Sequence, residues 1–281
     1  MDDGPGAEIP VALLRQFYAY DRDLPLEAET SPAPGLDFGP GLRAERFEIT
    51  SVHDARVPGL VLWDPAREGP RPAVLVAHPA TLGKSDDYVL WPAQEWAGRG
   101  AVCVLIDQAG HGERATRPIT MEDFLRYPQR RAAMTQQTAV DWMRALDYAV
   151  TRPEVDAERV GFVGFSMGGM RGAPFVGLDG RVGAAVFCIS GAARPLPAAA
   201  GEAERLAQRI TDPATFAPLM DRPTLVVAGR GDDVVPPESA QRFFEAMPEP
   251  REIDWGPYGH WDFMPAGLSP VWPFIERHLF G

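Results

Sequence analysis

From residue 73 onward, wholly apolar runs alternate with segments of helical spacing. Residues 73–78, 101–107, 160–165, 182–189 and 223–229 are short and rich in Val, Ile, Leu and Ala, with polar residues mainly at their ends. Runs of that length without polar alternation predict parallel strands buried on both faces. Between them, residues 86–99 predict a helix broken or delayed by Pro92, and residues 135–150 a helix with Val140, Met143 and Leu146 at helical spacing. Residues 238–247 and 270–279 predict two further helices, with a short strand at 252–255. Before residue 73 the pattern differs. Residues 42–50 alternate, and residues 57–63 read as their hairpin partner across a turn at His53-Asp54. Residues 11–20 predict a short amphipathic helix, and the Pro- and Gly-rich stretch 24–41 an irregular arm.

This order predicts an α/β fold, with a mostly parallel central sheet and helices on both faces. One domain is expected over residues 42–281, preceded by a helix and arm over 1–41. Two cap-like segments, 112–134 and 191–220, carry no strand pattern, and residues 201–210 are helix-like within the second. Ligands on such sheets bind beyond the carboxyl ends of the strands. His78, Asp107, Ser166, Ser190 and Asp232 all follow apolar runs there, and His260 follows the last strand.

The 281 residues are 45% hydrophobic and 23% charged, as in ordinary globular proteins. A formal net charge of −12 argues against nucleic acid or an anionic membrane as partner. No apolar run approaches the ~20 residues that span a bilayer, and Met1-Asp2-Asp3-Gly4 lacks the order of a signal peptide. A cytoplasmic protein is expected. Cys103 and Cys188 lie inside apolar runs and are expected to be reduced and buried. Lys84 is the only lysine.

The candidate chemistry centres on Gly164-Phe165-Ser166-Met167-Gly168-Gly169, a serine at a strand-to-helix turn flanked by glycines. Bulky neighbours would collide in such a turn, and the helix that follows aims free N–H groups at the serine hydroxyl. A serine hydroxyl needs a base, and the base needs an acid to fix its tautomer. Gly229-Arg230-Gly231-Asp232-Asp233 follows an apolar strand and offers Asp232 or Asp233 as that acid. His260, in Tyr258-Gly259-His260, is the only histidine in a glycine-flanked loop beyond it. His53 falls in a turn and His278 in the terminal helix, whereas His78 and His111 read as loop-bracing residues.

Together with Val76-Ala77-His78, Asp107-Gln108-Ala109-Gly110-His111-Gly112-Glu113-Arg114 and Val235-Pro236-Pro237-Glu238-Ser239-Ala240, these motifs resemble the α/β-hydrolase superfamily, in its dienelactone-hydrolase-like and acyl-esterase branch. The resemblance spans about residues 42–281. It implies a Ser-His-Asp triad of Ser166, His260 and Asp232, the last favoured by its spacing to Val235-Pro236. It also implies an oxyanion hole from the N–H of Met167 and that of Ala80 or Thr81, with Ala80 preferred. Relatives of this kind cleave esters, thioesters or lactones through an acyl-enzyme without metal or organic cofactor. Acyl transfer or a lyase- or cyclase-type reaction on the same fold is the alternative; a peptidase or a non-catalytic receptor ranks lower. A small acyl molecule is the expected partner, and a homodimer is open.

Two departures from the family pattern stand out. Pro79 occupies the loop where glycines are usual and cannot donate a hydrogen bond. Arg171 stands early in the nucleophile helix, as a surface or ion-paired residue or as a clamp for a substrate carboxylate. The pocket is expected between Ser166 and the cap-like segments, with Trp91, Trp96, Phe124, Tyr127, Trp261 and Phe263 available to line it. Thr81, Trp261, Phe124, Tyr127 and Arg171 are the candidate substrate-binding residues.

Overall fold

The computed structural model describes residues 9–33, 38, 41–117 and 127–281. Among these, nine strands form one sheet in the order β1-β2-β3-β5-β4-β6-β7-β8-β9. The apolar runs become β4 (Arg71–Ala77), β5 (Val102–Ile106), β6 (Val155–Phe165), β7 (Ala184–Cys188) and β8 (Thr224–Gly229), with β9 (Arg251–Gly256) beyond them. These six are parallel to one another. The alternating pair β2 (Arg43–Thr50) and β3 (Arg56–Trp63) forms the predicted antiparallel hairpin and joins the sheet through β5.

Helices cover both faces. On one side, α1 (Val11–Phe17), α3 (Pro128–Ala149), α4 (Met167–Leu178), α6 (Pro213–Phe216) and α7 (Pro237–Glu245) close over Trp142, Phe162, Phe175 and Phe187. On the other, α2 (Asp87–Gly98) and α8 (Val271–Leu279) pack on Trp96, Phe165, Trp272 and Phe274. The strand order reverses around β4: one connection leads from it through α2 to β5, and the next returns through α3 to β6 on its other side. A crevice for ligand opens at such a reversal, here beyond Ala77 and Phe165. Cys103 and Cys188 are free and fully buried, and burial raises both thiols well above their ordinary range. No helix among the described residues is long and apolar enough to cross a membrane.

Several elements depart from the expectations. The arm is not irregular throughout, because Glu29–Pro32 forms β1 and pairs antiparallel with β2. All four of its residues are exposed, so backbone hydrogen bonds rather than an apolar face hold it. The chain just before it is tied down by Arg144, which donates to the carbonyls of Leu24 and Pro25, and by the Thr50 N–H to the Leu26 carbonyl. Pro92 does not break α2; it sits buried inside a continuous helix, at the loss of the one hydrogen bond its nitrogen cannot donate. Helix α3 begins at Pro128, so residues 128–134 of the first cap-like segment are helical. The second segment contains α5 (Glu202–Arg209), close to the expected span, and then α6.

Candidate active site

Ser166 follows directly on β6 and precedes α4, with φ 49° and ψ −118°, a region that side-chain-bearing residues rarely adopt. The strain is held by close packing around it. A Cβ at Gly168 would lie 2.4 Å from the Ala77 carbonyl oxygen and 2.6 Å from that of His78, so only glycine lets the turn rest on the end of β4. Ser190 Oγ donates to the Ser166 carbonyl at 2.9 Å and pins the turn from the β7 side.

The turn brings three distant side chains together. Ser166 Oγ lies 2.9 Å from His260 Nε2, and His260 Nδ1 lies 2.8 Å from Asp232 Oδ2. All three residues are buried, with exposures of 7%, 7% and 4%. A carboxylate only accepts, so the Nδ1–H donates to Asp232 and Nε2 is left to accept from the serine hydroxyl. The second carboxylate oxygen of Asp232 accepts the N–H groups of Val234 at 2.9 Å and Val235 at 2.7 Å, which fixes the plane of the group. Asp233 points elsewhere: it is exposed, and its backbone carbonyl accepts from Arg194. The histidine loop is held by the Gly259 N–H, which donates to Asp262 Oδ1 at 2.6 Å.

Met167 is the first residue of α4, and its N–H is one of the four that an α-helix leaves without an internal acceptor. The loop after β4 starts at His78, whose carbonyl, like that of Ala77, rests against Gly168 of the same turn. Ala80 is half-buried there, and Thr81 is exposed in left-handed backbone with φ 66°, its hydroxyl donating to the Ala80 carbonyl at 2.6 Å.

His78 and His111 brace the loops, as expected. The Gln108 N–H donates to His78 Nε2 at 3.1 Å, so the proton sits on Nδ1 and is donated to the Pro79 carbonyl at 2.8 Å. His111 Nδ1 lies 3.0 Å from the Ala109 carbonyl. Burial favours the neutral ring in both and holds each at about 4. An exposed histidine titrates near 6.5, so the unfolded chain binds more protons than the folded one between these values. The stability conferred by the neutral rings is fully present above about pH 6.5 and is lost as pH falls toward 4. Urea unfolding followed between pH 7 and 4.5 should show this as an extra uptake approaching about two protons. The double variant His78→Gln/His111→Gln should lack that component.

The remaining predicted residues divide. Trp261 is 82% exposed, with its ring edge-to-face against His260 at 5.3 Å. Trp91 and Tyr127 are also exposed, while Phe124 lies outside the described residues. Trp96 and Phe263 belong to the core: Trp96 stacks on Trp272, and Phe263 meets the edges of Phe165 and Tyr258. Arg171 is not at the surface. Its guanidinium is buried and donates to the Ala109 carbonyl at 3.1 Å, and desolvation, together with Arg114, lowers it to about 9. A cleft of about 470 Å³ lies between α1, α3 and α5, lined by residues such as Phe17, Ala132, Leu206 and Ile210, none of them from the serine site. One group escaped the sequence reading, the buried pair of Lys84 and Asp107 with the partly exposed Glu113, beside the loop after β4. Its traces in the sequence are Lys84 as the sole lysine and the motif from Asp107 to Arg114 after an apolar run, with nothing that joins the two.

A parallel sheet with helices on both faces and a serine elbow at its switch point define an α/β-hydrolase. The model of the dienelactone hydrolase family matches residues 59–253, and the chain belongs to that family. It is 32% identical over 126 residues to the candidate hydrolase YtaP of Bacillus subtilis (strain 168), a match that covers 41% of this chain and 42% of that protein. Among solved structures, the acetyl xylan esterase from Paenibacillus sp. R4 superposes with a TM-score of 0.72 at 21% identity, covering 96% of this chain and 100% of that one. Acetyl xylan esterase 1 from Thermoanaerobacterium sp. JW/SL YS485 gives 0.76 at 18% identity, over 96% and 99%. A cold-adapted esterase from an Arctic intertidal metagenomic library gives 0.71 at 22%, over 89% and 99%. At these identities the likeness is one of fold.

Proposed function

We propose that this protein is a serine esterase that cleaves small carboxylic esters, thioesters or lactones through an acyl-enzyme on Ser166. The observation that carries the reading is the hydrogen-bonded chain from Ser166 Oγ through His260 to Asp232, at 2.9 and 2.8 Å, on a strained strand-to-helix turn. Ser166 Oγ attacks the carbonyl carbon while His260 Nε2 takes its proton. The negative charge that develops on the carbonyl oxygen is met by the N–H groups of Met167 and Ala80. Asp232 stays ionised, holds Nδ1–H and stabilises the imidazolium. His260 then gives the proton to the leaving alcohol, thiol or lactone oxygen, which departs and leaves the acyl group on Ser166. Water enters, loses a proton to Nε2 and attacks the acyl carbon. The second tetrahedral species releases the carboxylic acid, and the proton returns to Ser166.

The family match supports hydrolysis as the outcome. The exposed indole of Trp261 against the His260 ring supports an apolar wall for substrate beside the imidazole. The test is a panel of an aryl acetate, an aryl butyrate, a thioester and a small lactone in isotope-labelled water. Turnover that places one solvent oxygen in the acid product is expected. A folded protein that turns over none of them, or that only moves the acyl group to an added alcohol, would contradict the hydrolytic reading.

A further inference from the structure

Lys84 carries the only ammonium side chain of the protein, and that side chain is 1% exposed. Its Nζ lies 2.7 Å from Asp107 Oδ2 and also reaches Glu113 Oε1. The backbone N–H of the same residue donates to the other oxygen of Asp107 at 2.8 Å. Asp107, equally buried, takes a third bond from the Glu113 N–H at 3.0 Å, and Glu113 pairs outward with Arg46 at 2.6 Å. The surrounding backbone closes on the Asp107 carboxylate. A Cβ at Gly112, where φ is +54°, would lie 2.0 Å from Oδ1, and one at Gly83 2.9 Å from the same oxygen.

A buried ion pair of this kind adds little net stability over well-packed apolar side chains, because desolvation offsets the attraction. What it does supply is position. The segment that contains Ala80 is anchored at both ends to two consecutive residues beyond β5. At one end, Gln108 donates its backbone N–H to His78 Nε2 and its side-chain amide to the His78 carbonyl at 2.6 Å. At the other, Asp107 holds both the backbone and the side chain of Lys84. Only residues 79–83 lie between, one of them a proline without an N–H and one, Thr81, in left-handed backbone.

We propose that Lys84, through Asp107 and Glu113, is a positioning residue that sets the Ala80 N–H where the oxyanion forms, an inference that rests on the serine-esterase reading. An oxyanion donor works only within about 2.7–3.1 Å of the developing charge, and a shift of about 1 Å can cost on the order of 100-fold in rate. Removing the Lys84 ammonium leaves that anchor with its backbone bond to Asp107 alone, and the loosened five-residue span can then shift without any change in the residues that touch substrate.

The test compares the native enzyme, Lys84→Met, Lys84→Arg and Glu113→Gln on an aryl oxoester and the matched thionoester, whose sulfur gains less from N–H donors. For Lys84→Met, kcat on the oxoester should fall about tenfold or more, with KM within about twofold. The ratio of kcat/KM for oxoester over thionoester should fall with it. Lys84→Arg, whose guanidinium can still bridge two carboxylates, should recover part of that ratio. Folded Lys84→Met with kcat and ratio within about twofold of native would overturn the proposal. So would a loss of kcat at an unchanged ratio, which marks a merely structural role. If Lys84→Met does not fold, Glu113→Gln decides, since the Glu113 side chain is 45% exposed: a lowered ratio supports the clamp and an unchanged one overturns it. A native protein that hydrolyses neither ester and leaves Ser166 unlabelled by a phosphonylating probe would instead remove the esterase reading itself, and with it the premise of the clamp.

Discussion

Ser166→Ala should lower kcat for ester hydrolysis by about 10⁵- to 10⁶-fold while leaving the protein folded. The size of the effect follows from the loss of the only atom that forms the proposed covalent bond. Donors for the oxyanion and the binding surface would remain, and these sustain only a small residual rate. The fold should tolerate the change because alanine removes a single oxygen. The hydrogen bonds that hold the turn use other atoms: Ser190 Oγ binds the Ser166 carbonyl, and the Ser166 N–H donates to the Cys188 carbonyl at 2.9 Å. The backbone strain at φ 49° is the same for either residue. Circular dichroism and thermal unfolding alongside the kinetics check that the loss is chemical. A variant that retains a tenth of native kcat would contradict nucleophilic attack by Ser166.

Asp232→Asn should lower kcat by about 10⁴-fold, and Asp233→Asn should leave it within about twofold. The two positions are adjacent in sequence but differ completely in surroundings. Asp232 is 4% exposed and divides its oxygens between His260 Nδ1 and the Val234 and Val235 N–H groups. An amide there can turn its NH₂ toward Nδ1, which places the ring proton on Nε2 and leaves nothing to accept from Ser166. It also provides no negative charge to stabilise the imidazolium. The Asp233 side chain is directed to solvent, and only its backbone carbonyl is engaged. Steady-state kinetics of the two variants distinguish them directly, and equal losses would contradict the assignment of the acid.

What could be read from the chain depended on how each element is stabilised. Strands β4, β5 and the end of β6 are buried on both faces and therefore wholly apolar, so their composition announces them. β1 has no buried face, so Glu29–Pro32 carries no hydrophobic signal and reads as a loop. The first two turns of α3 carry no helical signal, because Gln129 to Ala133 are polar or small and show no apolar period. Ser166 and His260 stood out because glycine spacing around them reflects close backbone contacts, such as Gly168 against the end of β4. The aromatics gave no such cue. Trp96 and Phe263 fill the core while Trp261 lies open beside His260, and one indole reads like another until neighbours are known. The cluster of Lys84, Asp107 and Glu113 was illegible for a related reason. Its members lie 23 and 29 residues apart along the chain and meet only once β4 and β5 are paired.

The central claim is that Ser166 is an activated nucleophile, and intact-protein mass spectrometry after treatment with a fluorophosphonate tests it most directly. The native protein should gain the mass of a single phosphonyl group, and Ser166→Ala should gain none. Folded native protein that stays unmodified, or a variant that is modified as readily as the native chain, would contradict it.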